Sequence, residues 1–167
     1  ASGGGARGPR ALPEAARDGE NLQQVLCAST GAVCAPDDEP HEETDRPGPI
    51  DIYGRTKLVG EDLAELFHRQ TGVPATSARL FNVYGTRETN EHLIPAILDQ
   101  LRDGARAIEL GNLAPARDFV HVTDVAEALV ALLTEFDEGY RAYNVGTGTE
   151  HTVREVVEHT AEALGEP

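Results

Sequence analysis

The feature that most constrains this chain is a change of hydrophobic period that recurs along it. Short apolar runs alternate with longer stretches whose apolar residues fall three and four apart. The short runs, Gln23–Ala28, Ala75–Phe81, Ala107–Leu110, Phe119–Val122 and Tyr143–Val145, read as strands. Between and after them, 53–70, 91–103, 123–134 and 152–164 read as amphipathic helices. Leu58, Val59, Leu63, Leu66 and Phe67 share one side of the first helix, which Gly72 and Pro74 close. Leu93, Ile94, Ile97, Leu98 and Leu101 do the same for the second, up to Gly104. Thr123 is placed to cap the third helix, with acids in its first turn. Strand following helix in this way predicts an α/β fold on parallel strands. Residues 11–19 favour a further helix with Pro13 in its first turn, the first ten residues are Gly-rich and mobile in character, and 35–49 is a polar, Pro-rich loop.

Charge narrows the partners. Fourteen Lys and Arg against 29 Asp and Glu leave a formal charge of −15 on 167 residues. Such an excess repels polyanions, which excludes nucleic acid and anionic membrane surfaces as the main partner. No apolar run is long enough to span a bilayer and the amino terminus does not read as a signal peptide, so a cytoplasmic protein is expected. Cys27 and Cys34 do not form a disulfide framework or a zinc pattern and are expected to be reduced. Methionine is absent even at position 1, which suggests a fragment, a processed form or incomplete numbering. Among the 14 basic residues Lys57 is the one lysine.

That lysine lies four residues after Tyr53, so both side chains leave one helix face a turn apart. An ammonium beside a phenol stabilises the phenolate and eases proton exchange with a substrate hydroxyl. Arginine, larger and planar, is a poorer substitute. A lysine on a helix is ordinarily only a surface residue; with four tyrosines in 167 residues, its fall at this spacing is an uncommon coincidence. The strand ending "CAST" brings Ser29 and Thr30 to its carboxyl end, where ligands bind open α/β sheets.

With those residues in place, the chain resembles the extended short-chain dehydrogenase/reductases that act on nucleotide sugars, the NAD-dependent epimerases and dehydratases. "LCASTGAV", "YGRTK", "ARLFNVYG", "RDFVHVTDVA" and "YNVGTG" carry the resemblance, in family order. It implies Thr30, Tyr53 and Lys57 as the catalytic set, with Tyr53 as acid/base, Lys57 on the nicotinamide ribose and Thr30 on the reacting sugar hydroxyl. It further implies Leu80 and Phe81 beside the nicotinamide. Ser29, Asn82, His92, Leu93, Ile108, Leu110 and Arg117 would face the nucleotide sugar, with Arg117 on its diphosphate. The implied cofactor is NAD or NADP. No cluster of His and carboxylates has metal spacing, so no metal is expected. Apolar residues of the helix from Tyr53 permit a homodimer, since family members often pair that helix.

Departures qualify the resemblance. No strand, Gly-rich turn and helix with a later acid precede the catalytic region, and "VGTGTEHTV" has His151 where the third glycine belongs. The chain is therefore expected to be a partial Rossmann-like, doubly wound parallel sheet with a small carboxyl-terminal substrate-binding part. Residues 1–20 would be a flexible or incomplete helix segment, 21–85 the second half of the Rossmann-like domain with the catalytic residues, and 86–167 a substrate-binding region mixed with the remaining Rossmann elements. Gly31 and Ala32 stand where dehydratases place an acid, which favours an epimerase or another hydride-transfer variant over a 4,6-dehydratase; within the enzyme class the alternative is a 4,6-dehydratase or a reductase. A truncated, non-catalytic remnant that binds a nucleotide sugar or a partner chain is the alternative from another class.

Overall fold

The computed structural model describes residues 22–37, 39–88, 92–105, 107–136 and 138–165. The elements, in chain order, are β1 (Val25–Thr30), α1 (Ile52–Thr71), β2 (Ala75–Leu80), β3 (Asn82–Tyr84), α2 (Leu93–Arg102), β4 (Ala116–His121), α3 (Val122–Glu135), β5 (Tyr140–Val145), β6 (Glu150–Thr152) and α4 (Val153–Leu164). The helix read over 11–19 and the segment read as 1–20 lie outside the described residues. The chain forms two compact units, one from residues up to 80 with 126–145, the other from 81–125 with 146 onward. It passes between them after β2, within α3 and after β5.

The first unit is a parallel sheet in the order β1-β2-β5. Parallel pairing requires crossovers, and α1 supplies the one from β1 to β2. The central strand β2 is buried along nearly its whole length, and its Ala75, Thr76, Ser77 and Ala78 are all 0% exposed. Small side chains there leave room for Ala64 and Phe67 of α1, both buried. Asp51 caps α1 by accepting from the Gly54 amide at 2.6 Å, and Gly72 ends it in the left-handed region at φ 75°.

The second unit holds β3 parallel to β4 and β4 antiparallel to β6. Its last helix opens on a reciprocal cap: the Thr152 hydroxyl accepts from the Glu155 amide, and the Glu155 carboxylate accepts from the Thr152 amide.

Several boundaries differ from expectation. No ladder forms over 107–110; instead the Gln100 side chain pairs with the Glu109 backbone, donating to its carbonyl at 3.0 Å and accepting from its amide at 2.7 Å. A primary amide has the donor and acceptor of a peptide group, so one side chain takes the place of a neighbouring strand. Thr123 does not cap α3, which begins at Val122; its hydroxyl hydrogen-bonds His121 Nδ1 at 2.7 Å. The strand read over 119–122 runs from Ala116 to His121. The short strands β3 and β6 were not foreseen, because three residues carry too little periodicity to be seen.

Candidate active site

The carboxyl end of β1 and the first turns of α1 are locked together by a glycine. A Cβ on Gly54 would lie 2.2 Å from the Ala32 carbonyl oxygen, so only glycine allows α1 to start this close to the turn at Gly31–Val33. Tyr53, one residue earlier, remains 56% exposed. Lys57 reaches back to the sheet: its Nζ donates to the Ala28 carbonyl at 2.9 Å and lies 5.7 Å from the centroid of the Tyr53 ring. An ammonium at that distance is within the range of attraction to a ring face. One of its three donors is spent on Ala28. Thr30 ends β1 opposite Leu80 of β2, and its hydroxyl accepts from the Ala32 amide at 3.3 Å.

Ser29 is turned elsewhere. It is 3% exposed, and its hydroxyl donates to Glu61 Oε1 at 2.5 Å. Glu61 sits one turn beyond Lys57 on α1 and receives Arg79 of β2 in a bidentate pair: Nε at 3.0 and 3.2 Å, Nη2 at 2.8 Å. Both side chains are about 95% buried, at 4% and 5% exposure. The hydrogen bond to Glu61 holds the Arg79 guanidinium charged, raising it above its ordinary value against the opposing pull of desolvation. The hydroxyl assigned to substrate on the strength of resemblance is thus part of an internal network. Sequence reading passed over Glu61 and Arg79, although an arginine inside the otherwise small and apolar strand "ATSARLF" requires a buried partner.

Around this pair two thiols and a phenol are held protonated. Burial pushes the Cys27 and Cys34 thiols up. Burial also pushes the Tyr140 phenol up to about 12, with its hydroxyl 3.1 Å from Ser77 Oγ.

In the second unit, Asn82 of β3 donates through Nδ2 to the Asp118 carbonyl at 3.1 Å, next to exposed Arg117 on β4. Arg117 is not paired with its neighbour. Its Nη1 donates to the Ala116 carbonyl at 2.6 Å, whereas the Asp118 carboxylate accepts from the Thr147 amide at 2.9 Å, the Thr147 hydroxyl at 2.7 Å and the Gly148 amide at 2.8 Å. A Cβ on Gly146 would lie 2.4 Å from Asp118 Oδ2, so this loop also needs its glycine. Two amides of "VGTG", those of Thr147 and Gly148, are therefore occupied by a carboxylate of the protein. His92 precedes α2 and contacts Glu88 at 2.5 Å; Leu93 is the helix's first residue. Ile108 and Leu110, half-buried, flank the Glu109 backbone that Gln100 holds. Phe81, half-buried, links β2 to β3.

A parallel sheet, a tyrosine and lysine one turn apart at the start of the helix after β1, and a hydroxyl at that strand's end define an α/β protein of the short-chain dehydrogenase/reductase class. Within that class the chain belongs to the NAD dependent epimerase/dehydratase family, whose model matches residues 5–146. It is 33% identical to the UDP-glucose 4-epimerase of Corynebacterium glutamicum, covering 87% of this chain and 49% of that protein. It is 31% identical to the UDP-glucose 4-epimerase of Streptomyces lividans, over 96% of this chain and 53% of that protein. Among solved structures, MoeE5 in complex with UDP-glucuronic acid and NAD superposes with a TM-score of 0.85 at 33% identity, over 95% of this chain and 54% of that one. The chain spans about half the length of these relatives. No helix among the described residues is long and apolar enough to cross a membrane.

Proposed function

We propose that the protein epimerises a nucleotide-diphosphate sugar with NAD, and that this chain carries the acid/base machinery and part of the sugar-nucleotide site. The observation that supports it most is Lys57, fixed on the Ala28 carbonyl at 2.9 Å with its charge 5.7 Å from the ring of an exposed Tyr53. Tyr53 takes the proton of a ring hydroxyl and returns it; Lys57 stabilises the phenolate between those events; Thr30 holds the reacting hydroxyl in line. NAD, when bound, supplies a reversible hydride acceptor for the sugar carbon. The two Nζ donors of Lys57 not used on Ala28 suit the hydroxyls of a ribose, which fits the nicotinamide end of the cofactor, with Leu80 and Phe81 beside it. The Thr147 and Gly148 amides of "VGTG" do not suit the pyrophosphate, because they already donate to Asp118.

Arg117 is assigned to the substrate diphosphate, a charge-assisted contact that a chain of net charge −15 needs locally. Asn82, His92, Leu93, Ile108 and Leu110 are assigned to the sugar nucleotide. Gly31 and Ala32, in the turn after Thr30, offer no acid to expel a hydroxyl as water, and this favours epimerisation over dehydration. A homodimer through α1 agrees with the exposure of Ile52, Val59 and Leu66, seven residues apart along it.

The test uses the protein expressed from its whole reading frame, incubated with NAD and UDP-, dTDP- and GDP-sugars. Epimer formation is expected, and Tyr53→Phe should lower kcat by about 10²- to 10⁴-fold with sugar-nucleotide affinity nearly unchanged. Binding without turnover would replace the enzyme with a binding protein, and a dehydrated keto-sugar product would replace the epimerase with a dehydratase.

A further inference from the structure

We propose that the buried Arg79–Glu61 pair, with Ser29, is a positioning device that sets the register of α1 on the sheet and thereby holds Lys57 and Tyr53 at the strand edge. The inference rests on the acid/base reading of Tyr53 and Lys57.

Two buried charges are a costly way to hold a helix. Their desolvation offsets most of their mutual attraction, and well-packed apolar side chains often serve stability as well or better. What apolar contacts lack is direction, because a helix resting on them tolerates small slides and rotations. A bidentate guanidinium–carboxylate pair does not, since its two parallel hydrogen bonds set distance and orientation together. Here that pair is formed between the middle of α1 and the penultimate residue of β2.

The level at which it acts is specific. Arg79 is the register partner of Ser29 on β1 and of Asn144 on β5, one residue before the carboxyl end of all three strands. Glu61 receives both Arg79 and Ser29, so α1 is tied to two adjacent strands at one height. Going back along α1, Lys57 is one turn away and Tyr53 two. Each has its own reference on the β1 side: Lys57 on the Ala28 carbonyl, and Gly54, beside Tyr53, against the Ala32 carbonyl. Glu61 on Ser29, Lys57 on Ala28 and Gly54 against Ala32 are thus three successive contacts of α1 with β1 and the turn after it, and the ion pair adds β2 at the level of the first. Removing the ion pair frees the end of the series farthest from Tyr53, and a displacement of about 1 Å at reacting groups costs up to a hundredfold in rate.

The test is Glu61→Leu combined with Arg79→Leu, which removes both charges and leaves no buried ion unpaired. Turnover is measured as kcat and KM separately. The mobility of Lys57 is read from NMR relaxation of ¹³C-labelled lysine side chains, its signal assigned with Lys57→Arg. The double variant is expected to fold, to keep KM within about threefold, to lose about tenfold or more in kcat, and to show a more mobile Lys57 without any ligand bound. A folded double variant with the parent's kcat and an equally ordered Lys57 overturns the proposal. If the double variant does not fold, Ser29→Ala decides by the same two readouts, since it removes one hydroxyl and leaves the ion pair. A lower kcat with a looser Lys57 supports the proposal, and parental values for both overturn it. Tyr53→Phe with full activity would instead overturn the acid/base reading, and the lysine relaxation would then report on positioning alone.

Discussion

The two units organise their polar groups in opposite ways. In the first, Glu61, Arg79 and Ser29 are sealed from water and satisfy one another, while Tyr53 at the end of the same helix is exposed. In the second, one carboxylate, Asp118, gathers the backbone amides of the 147–148 loop, and Arg117 beside it projects outward. A buried ion pair fixes geometry at a cost in desolvation and turns its charges inward. A carboxylate on backbone amides shapes a loop cheaply and leaves its neighbours available. Groups sealed inside the sheet and groups left facing solvent are thus supported differently.

The comparison is broken most severely from the buried side. Arg79→Ala leaves the Glu61 carboxylate without its partner, and should cost about 3–5 kcal/mol in urea unfolding. A loss below 1 kcal/mol would mean water reaches Glu61 and the contrast between the units is overdrawn. Asp118→Ala removes three hydrogen bonds to the 147–148 loop and should cost a smaller amount, about 1–3 kcal/mol. If it cost as much as Arg79→Ala, the second unit would depend on its carboxylate as the first depends on its ion pair.

The smallest effect is a pH dependence within the first unit. Tyr140 has its proton held up to about 12 when folded, against an ordinary 10.0. The folded state therefore binds that proton more tightly than the unfolded one. This contribution to stability is complete below pH 10 and is lost as pH rises toward 12. Stability followed between those limits should fall, and Tyr140→Phe should flatten the slope; an equal slope in both would assign the alkaline loss to other groups.

Much of the fold was legible because it is written in local periods. The helix read over 53–70 is observed at 52–71, and the strand read over 75–81 at 75–80. Tyr53 and Lys57 were found for the same reason, since four residues make one helical turn in any context. The strand expected at 107–110 failed on something that period does not encode: a glutamine from α2 supplied the peptide-like partner that a strand would have offered. Ser29 was drawn toward the substrate by its place at the end of a strand, and only the position of α1 shows that its hydroxyl serves Glu61.

From the amino-acid sequence alone came the alternation of strands and helices, the single lysine one turn from a tyrosine, and the family motifs in their order. Tertiary structure decided which charge meets which. Glu61 and Arg79 are 18 residues apart, and Asp118 and Thr147 are 29 apart. Nothing local joins either pair. The strand order β1-β2-β5 brings Arg79 beside Ser29 and beneath α1, and the turn into β6 brings two amides to Asp118. A buried charge must find a partner, but chain topology chooses it.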